Sequence, residues 1–214
     1  MRPVQKSLRS FLLGLPFVAA ALESRAQSSV LADGGYSRLI PKESPVRQVP
    51  IVPPGAGGLD RFHAHCTSCG LCVSACKSQV LRPSSDLRHF LQPEVSYEKG
   101  YCRPECTACS QVCPSGAIRP LDVVLKSSVQ VGHAVWVKDR CIPLRDNQDC
   151  GLCARRCPAE AILMVPMDPH DPESRKVPAI DEAKCTGCGR CESLCPSNPL
   201  SAIYVEGHER HRII

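Results

Sequence analysis

The sequence predicts a small α+β fold, largely irregular, in which short β-hairpins and short helices recur along the chain. Three observations carry this expectation. Sixteen cysteines fall into four evenly spaced groups within 214 residues. Large apolar rings are scarce: aromatics make up 4 % of the chain and Trp136 is its single tryptophan, while prolines number 20. Short apolar runs flank the cysteine groups, and turn formers separate those runs. A chain so poor in rings builds a weak conventional core, so the cysteines must help to hold it together.

The N-terminus reads as a targeting segment. Arg2, Lys6 and Arg9 precede a mainly apolar run at residues 11–22. That length fits a signal h-region and is too short to span a bilayer. Ser24-Arg25-Ala26 then places small residues at the two positions a signal peptidase reads. Residues 1–26 are therefore taken as signal-like, with an uncleaved anchor as the alternative. No later stretch approaches transmembrane length. Residues 27–61 hold Gly34-Gly35, Pro41, Pro45, Pro50 and Pro53-Pro54-Gly55, which predicts an extended, irregular lead-in. Residues 62–205 carry the cysteine groups, and residues 206–214 form a charged tail in which His208 and His211 read as solvated.

The formal charge is +5, of which the first 26 residues supply +3. Lysine and arginine are scattered and form no basic stripe of the kind that follows phosphates, which argues against nucleic-acid binding.

The four groups are Cys66, Cys69, Cys72 and Cys76; Cys102, Cys106, Cys109 and Cys113; Cys141, Cys150, Cys153 and Cys157; and Cys185, Cys188, Cys191 and Cys195. The stretches between them contain 25, 27 and 27 residues. Such regularity means one supersecondary unit used four times. Apolar runs follow the groups at Val80-Leu81, Ala117-Ile118, Ala161-Ile162-Leu163 and Ala202-Ile203-Tyr204. Extended runs precede the last three at Glu94-Val95-Ser96-Tyr97, His133-Ala134-Val135-Trp136-Val137 and Lys176-Val177-Pro178-Ala179-Ile180. These predict hairpins joining the groups, each group being a loop that ends in a short helix.

The first and fourth groups read C-x2-C-x2-C-x3-C. Three cysteines at every third position let a tight loop wrap a small cube, each thiolate reaching one iron. The x3 gap carries the fourth one helical turn on, pointing elsewhere. In two-cluster bacterial ferredoxins that fourth cysteine ligates the other cluster. The second and third groups lengthen the first gap (C-x3-C and C-x8-C) but keep the rest. Pro114, Pro158 and Pro196 turn the chain away after the last cysteine. Gly70, Gly151, Gly187 and Gly189 allow the backbone to approach a cluster closely. All sixteen cysteines are thus candidate ligands of four [4Fe–4S] clusters, carried by two ferredoxin-like modules. Clustered C-x2-C pairs are poor disulfide staples, and zinc knuckles favour isolated pairs with longer gaps.

Four clusters with their thiolates carry about −8 in the oxidised state, which makes the holoprotein acidic. They also take the place of a core, so the apo chain is expected to be largely unfolded. Lys77 stands where proline follows the other groups. A positive charge there would raise a cluster potential, although a solvated lysine is the simpler reading. His65, beside Cys66, reads as a solvated loop histidine.

At these residues the chain resembles the MauM/NapG family of ferredoxin-type polyferredoxins, which are related to iron–sulfur subunits of molybdenum oxidoreductases. The resemblance rests on Pro53-Pro54-Gly55-Ala56, on Cys113-Pro114-Ser115-Gly116-Ala117-Ile118, on the long gap from Cys141 to Cys150, and on Cys185-Thr186-Gly187-Cys188-Gly189-Arg190-Cys191-Glu192. It implies single-electron transfer without substrate chemistry of its own, between a quinol-oxidising membrane donor and a reductase, with peripheral membrane association. It also implies a periplasmic location. Ser7-Leu8-Arg9-Ser10-Phe11-Leu12 keeps only one arginine of a twin-arginine signal, which leaves a cytoplasmic location as the alternative. A permanent subunit of an oxidoreductase and a maturation factor are the competing functions.

Two cluster pairings are compatible with the spacing. Sequential pairing joins groups one with two and three with four. Nested pairing, which the resemblance favours, joins one with four and two with three. It would place Cys195 with Cys66, Cys69 and Cys72, and Cys76 with Cys185, Cys188 and Cys191. It would likewise place Cys157 with Cys102, Cys106 and Cys109, and Cys113 with Cys141, Cys150 and Cys153.

Overall fold

The computed structural model describes Leu31–Asp33, Ser37–Leu39 and residues 41–214. The signal-like residues 1–26 lie outside the described residues. The chain divides into two units, Met1–Pro41 and Lys42–Ile214. In the first, β1 (Leu31–Asp33) pairs antiparallel with β2 (Ser37–Leu39), with Leu31 opposite Leu39. This is a small piece of regular structure inside a lead-in expected to hold little of it.

The second unit is a mixed α+β assembly of short helices and two-stranded antiparallel sheets. Helix α1 (Leu59–His65) runs into the first cysteine loop and buries Phe62. Each cysteine group then contains a short helix, as its spacing predicts: α2 (Leu71–Ala75), α3 (Ala108–Gln111), α6 (Leu152–Arg155) and α7 (Arg190–Ser193). In all four, the third cysteine lies within the helix and the fourth just beyond its end. The C-x8-C gap of group three is filled by a further helix, α5 (Ile142–Arg145), with Pro143 in its first turn.

Two hairpins form where the apolar runs predict them. Strand β3 (Leu81–Pro83) pairs with β4 (Pro93–Val95), Leu81 opposite Val95. Strand β6 (Ile162–Pro166) pairs with β7 (Lys176–Ile180), Ile162 opposite Ile180. The hairpin expected between groups two and three does not form. Asp122 caps a helix there, α4 (Val123–Ser128), its carboxylate accepting the Leu125 N–H at 2.6 Å. Helix α4 runs directly into β5 (Val129–Trp136), which pairs with β8 (Ile203–Ile213) instead; Trp136 faces Ile203 and His133 faces Glu206. Ala117 and Ile118, the expected partners of β5, are buried in the core. Residues expected as a charged tail are thus mostly the far half of β8, and their backbone closes a sheet.

The core comes in two parts, one for each pair of cysteine groups. The first gathers Ile51, Val52, Phe62, Val80, Tyr97 and Ile118 around cysteines of groups one and two. The second, smaller, gathers Ala134, Ala161, Ile162 and Ile203 around cysteines of groups three and four. Side chains from the first half lock into the second. The Tyr97 hydroxyl donates to the Gly187 carbonyl at 2.6 Å. Arg47, its side chain 9 % exposed, meets Glu192 at 2.5 Å, and Glu192 also accepts the Val205 N–H at 2.8 Å. A buried ion pair survives when hydrogen bonds satisfy its remaining lone pairs, as here.

Candidate metal centre

The end of each short helix directs its fourth cysteine away from its own loop. The helices of groups one and two pack together, as do those of groups three and four. The sixteen sulfurs therefore gather into four quartets. Site one has Cys66, Cys69, Cys72 and Cys113 around one cavity. Site two has Cys102, Cys106, Cys109 and Cys76 around another. Site four has Cys185, Cys188, Cys191 and Cys157 around a third. Site three brings together Cys141, Cys150, Cys153 and Cys195, near enough for their charges to act on one another. The same lining of three cysteines from one group and one from its neighbour recurs at sites one, two and four, which suits one kind of cargo.

This is sequential pairing, and the nested expectation is corrected. Cys113 sits with group one and Cys76 with group two; Cys195 sits with group three and Cys157 with group four. The reason is proximity along the chain. The β3–β4 hairpin folds group two back onto group one, and the β6–β7 hairpin folds group four back onto group three.

All sixteen cysteines are free of disulfides. Among the described residues, no three His, Cys, Asp or Glu side chains converge on one ion-sized point. At sites one, two and four the quartets line pockets, as ligands of a cube of iron and sulfide would.

Two stretches of the chain, residues 65–117 and 140–198, match the family described as "4Fe-4S dicluster domain". The first stretch holds groups one and two and the second holds groups three and four, which is the pairing seen in the fold. Curated proteins are similar to this chain as well. The methylamine utilization ferredoxin-type protein MauM of Paracoccus denitrificans is 33 % identical over 189 residues, covering 85 % of this chain and 79 % of that protein. MauM of Methylobacillus flagellatus is 32 % identical over 166 residues, covering 75 % and 70 %. The ferredoxin-type protein NapG of Escherichia coli is 29 % identical over 160 residues, covering 69 % and 66 %. The chain belongs to the ferredoxin-type 4Fe-4S dicluster family.

The local chemistry of this ferredoxin-type protein fits such a group. In three of the four groups the displaced cysteine receives a backbone N–H from the chain after its proline. Ile118 donates to Cys113 at 3.4 Å, Ala161 to Cys157 at 3.4 Å and Ala202 to Cys195 at 3.3 Å. Donors aimed at ligating sulfurs stabilise the extra negative charge of a reduced cluster. The indole N–H of Trp136 is buried without an acceptor in hydrogen-bond range. It faces Cys141, where burial pushes the thiol up and the indole partly offsets that push. A sulfide at site three would give this orphan donor its partner.

Several thiols are costly to ionise while alone. Burial, followed by the neighbouring sulfurs, pushes Cys72 up to about 11, Cys109 to about 12 and Cys188 to about 11. Bound iron reverses that balance, because a coordinated thiol is deprotonated outright. Cys113 is different: burial raises it, yet donors from Ile118, Ser115 and Ala117 bring it below its ordinary value.

Other expectations resolve simply. Lys77 and His65 are exposed, and the His65 Nδ1 meets only the Arg61 carbonyl, at 2.8 Å. Trp136 was legible as the sole tryptophan, but nothing in the sequence aimed it at Cys141.

Proposed function

We propose that this chain is an electron-transfer polyferredoxin with four [4Fe–4S] clusters, one in each cysteine quartet. The observation that carries this reading is the exchange of the fourth cysteine: every triplet is completed by its neighbouring group. Each bound cluster would supply one-electron chemistry, gaining or losing an electron while its iron stays ligated. The chain's part is to fix four sulfurs per site, to donate N–H groups to them, and to limit water with its two small cores.

In this reading the protein does no bond chemistry of its own and serves redox partners, a quinol-linked membrane donor and a redox enzyme as acceptor. The ferredoxin-type designation of its relatives supports the carrier role, and the signal-like residues 1–26 support a site facing the periplasm. One feature favours lasting attachment to a partner, as in a permanent subunit. Leu71, Phe90 and Leu91 are exposed beside site one, where Ser68 reaches the Phe90 carbonyl and Cys69 is itself exposed. Exposed apolar groups gathered beside a ligand suit a protein contact.

Iron and sulfide quantitation of anaerobically purified protein, with low-temperature EPR of the reduced form, tests the core of the proposal. About sixteen of each per chain are expected for four cubes. Folded protein that holds zinc, or no iron at all, would overturn it.

A further inference from the structure

Beyond the sulfurs, each site has one side chain that ties down the carbonyl of a ligand cysteine. At site one, Gln92 Nε2 donates to the carbonyls of His63 and Cys66 at 3.2 and 3.3 Å. At site four, Gln130 Nε2 donates to those of Glu182 and Cys185 at 2.6 and 2.7 Å. At site two, Lys126 Nζ donates to those of Arg103 and Cys106. At site three, Lys42 Nζ donates to those of Ser193 and Cys195 at 3.0 and 2.6 Å. Each dicluster half therefore has one neutral clamp and one cationic clamp.

Lys126 and Gln130 make the closest comparison. They stand four residues apart across the junction of α4 and β5, and both are buried, 7 % and 2 % exposed. Each closes the same kind of turn. The Arg103 carbonyl accepts the Cys106 N–H at 3.2 Å and the Lys126 ammonium; the Glu182 carbonyl accepts the Cys185 N–H at 3.3 Å and the Gln130 amide. Only their charge differs. Among the described residues no carboxylate pairs with Lys126, and its charge reaches the sulfurs of Cys102 and Cys109. Reduction adds negative charge to a site. An uncompensated ammonium in a low-dielectric setting stabilises that charge and raises the potential. Gln130 gives the same hydrogen bonds without the charge.

We propose that Lys126 raises the potential of site two above the value it would have with an uncharged clamp of the kind Gln130 provides at site four. This rests on the four-cluster reading. The test is Lys126→Gln in the full-length, cluster-loaded protein, with iron quantitation and EPR-monitored redox titration. We expect wild-type iron and one midpoint lowered by at least a tenfold change in the reduction equilibrium, about 59 mV for one electron, with the other midpoints in place. Unchanged midpoints at full iron content overturn the proposal. If Lys126→Gln loses iron, Lys126→Arg decides: restored iron with wild-type midpoints supports it. Iron still lost, or restored with a lowered midpoint, makes Lys126 a structural clamp and overturns the tuning role. Wild-type protein with fewer than four clusters would instead count against the reading underneath, and its own iron content shows that separately.

Discussion

The backbone N–H of Cys102 donates to the carbonyl of Cys188 at 2.9 Å. A ligand-bearing loop of one dicluster half is thereby bonded to a ligand-bearing loop of the other. The Val131 N–H adds a bond to the Thr186 carbonyl at 3.1 Å, one residue past Cys185. The halves dock through the loops that hold sulfur, so whatever disturbs docking should also disturb cluster retention at sites two and four.

Gly189 gives the sharpest probe of that coupling. Its φ is +76°, and a Cβ there would lie 2.2 Å from the Tyr97 ring. Gly70 has nearly the same backbone, φ +73°, with nothing within 4 Å of the added atom. Gly70→Ala should cost about 1–2 kcal/mol, the left-handed penalty alone. Gly189→Ala adds overpacking against a buried ring, about 1–3 kcal/mol more. Thermal unfolding under anaerobic conditions should show the larger loss for Gly189→Ala, accompanied by loss of iron. Equal losses in the two variants would refute the interlock.

The pairing can be read chemically. Changing Cys66, Cys69 and Cys72 together to serine removes the triplet of site one and, on the proposed four-cluster reading, leaves Cys113 without iron. Under native, anaerobic conditions Cys113 should then become open to alkylation, as mapped by mass spectrometry, while Cys195 stays protected. Nested pairing would give the reverse, with Cys195 exposed and Cys113 shielded.

Much of this was legible in the sequence because it is local. The C-x2-C-x3-C spacing alone places the third cysteine on a helix and the fourth past its end, and all four groups obey it. The β6–β7 hairpin follows from two runs rich in branched residues, separated by Asp168-Pro169-His170-Asp171-Pro172. What escaped is nonlocal. The run at 133–137 finds its partner in β8, some seventy residues on, because Asp122 starts a helix between the two expected strands. The far half of β8 is charged and shows no apolar face, so only its backbone ladder reveals it as a strand. The choice of pairing also lies in how hairpins fold back, since both schemes satisfy the same spacing. Lys126 and Gln130 look like any polar residues, and only burial beside two cysteine loops marks them.

His211 predicts how stability responds to acid. Burial, followed by the charge of His208, depresses its pKa from 6.5 to about 4, and neither ring nitrogen has a partner. A histidine whose folded pKa lies below its unfolded value gives its full stability contribution above pH 6.5. That contribution is lost as pH falls towards 4, because the unfolded chain takes up the proton first. By pH 5 the loss should be about 2 kcal/mol. Urea unfolding of the wild type and His211→Gln at pH 7 and pH 5 should show the gap between them shifting in favour of the variant as the solution is acidified. Parallel losses in the two proteins would remove His211 from the account.

Trp136 supports a last prediction, about site three. Its indole N–H is the buried donor that faces Cys141, and the Lys138 ammonium lies 5.7 Å from the centre of its ring. Phenylalanine keeps an apolar ring at this end of β5 and removes the donor. A donor to ligand sulfur favours the reduced, more negative cluster, so its loss should lower one midpoint. The drop should be smaller than that expected for Lys126→Gln, under about 59 mV, because a dipole is removed and not a full charge. Redox titration of Trp136→Phe at unchanged iron content checks this. A midpoint that stays in place or rises would mean the indole serves only to pack β5 against β8.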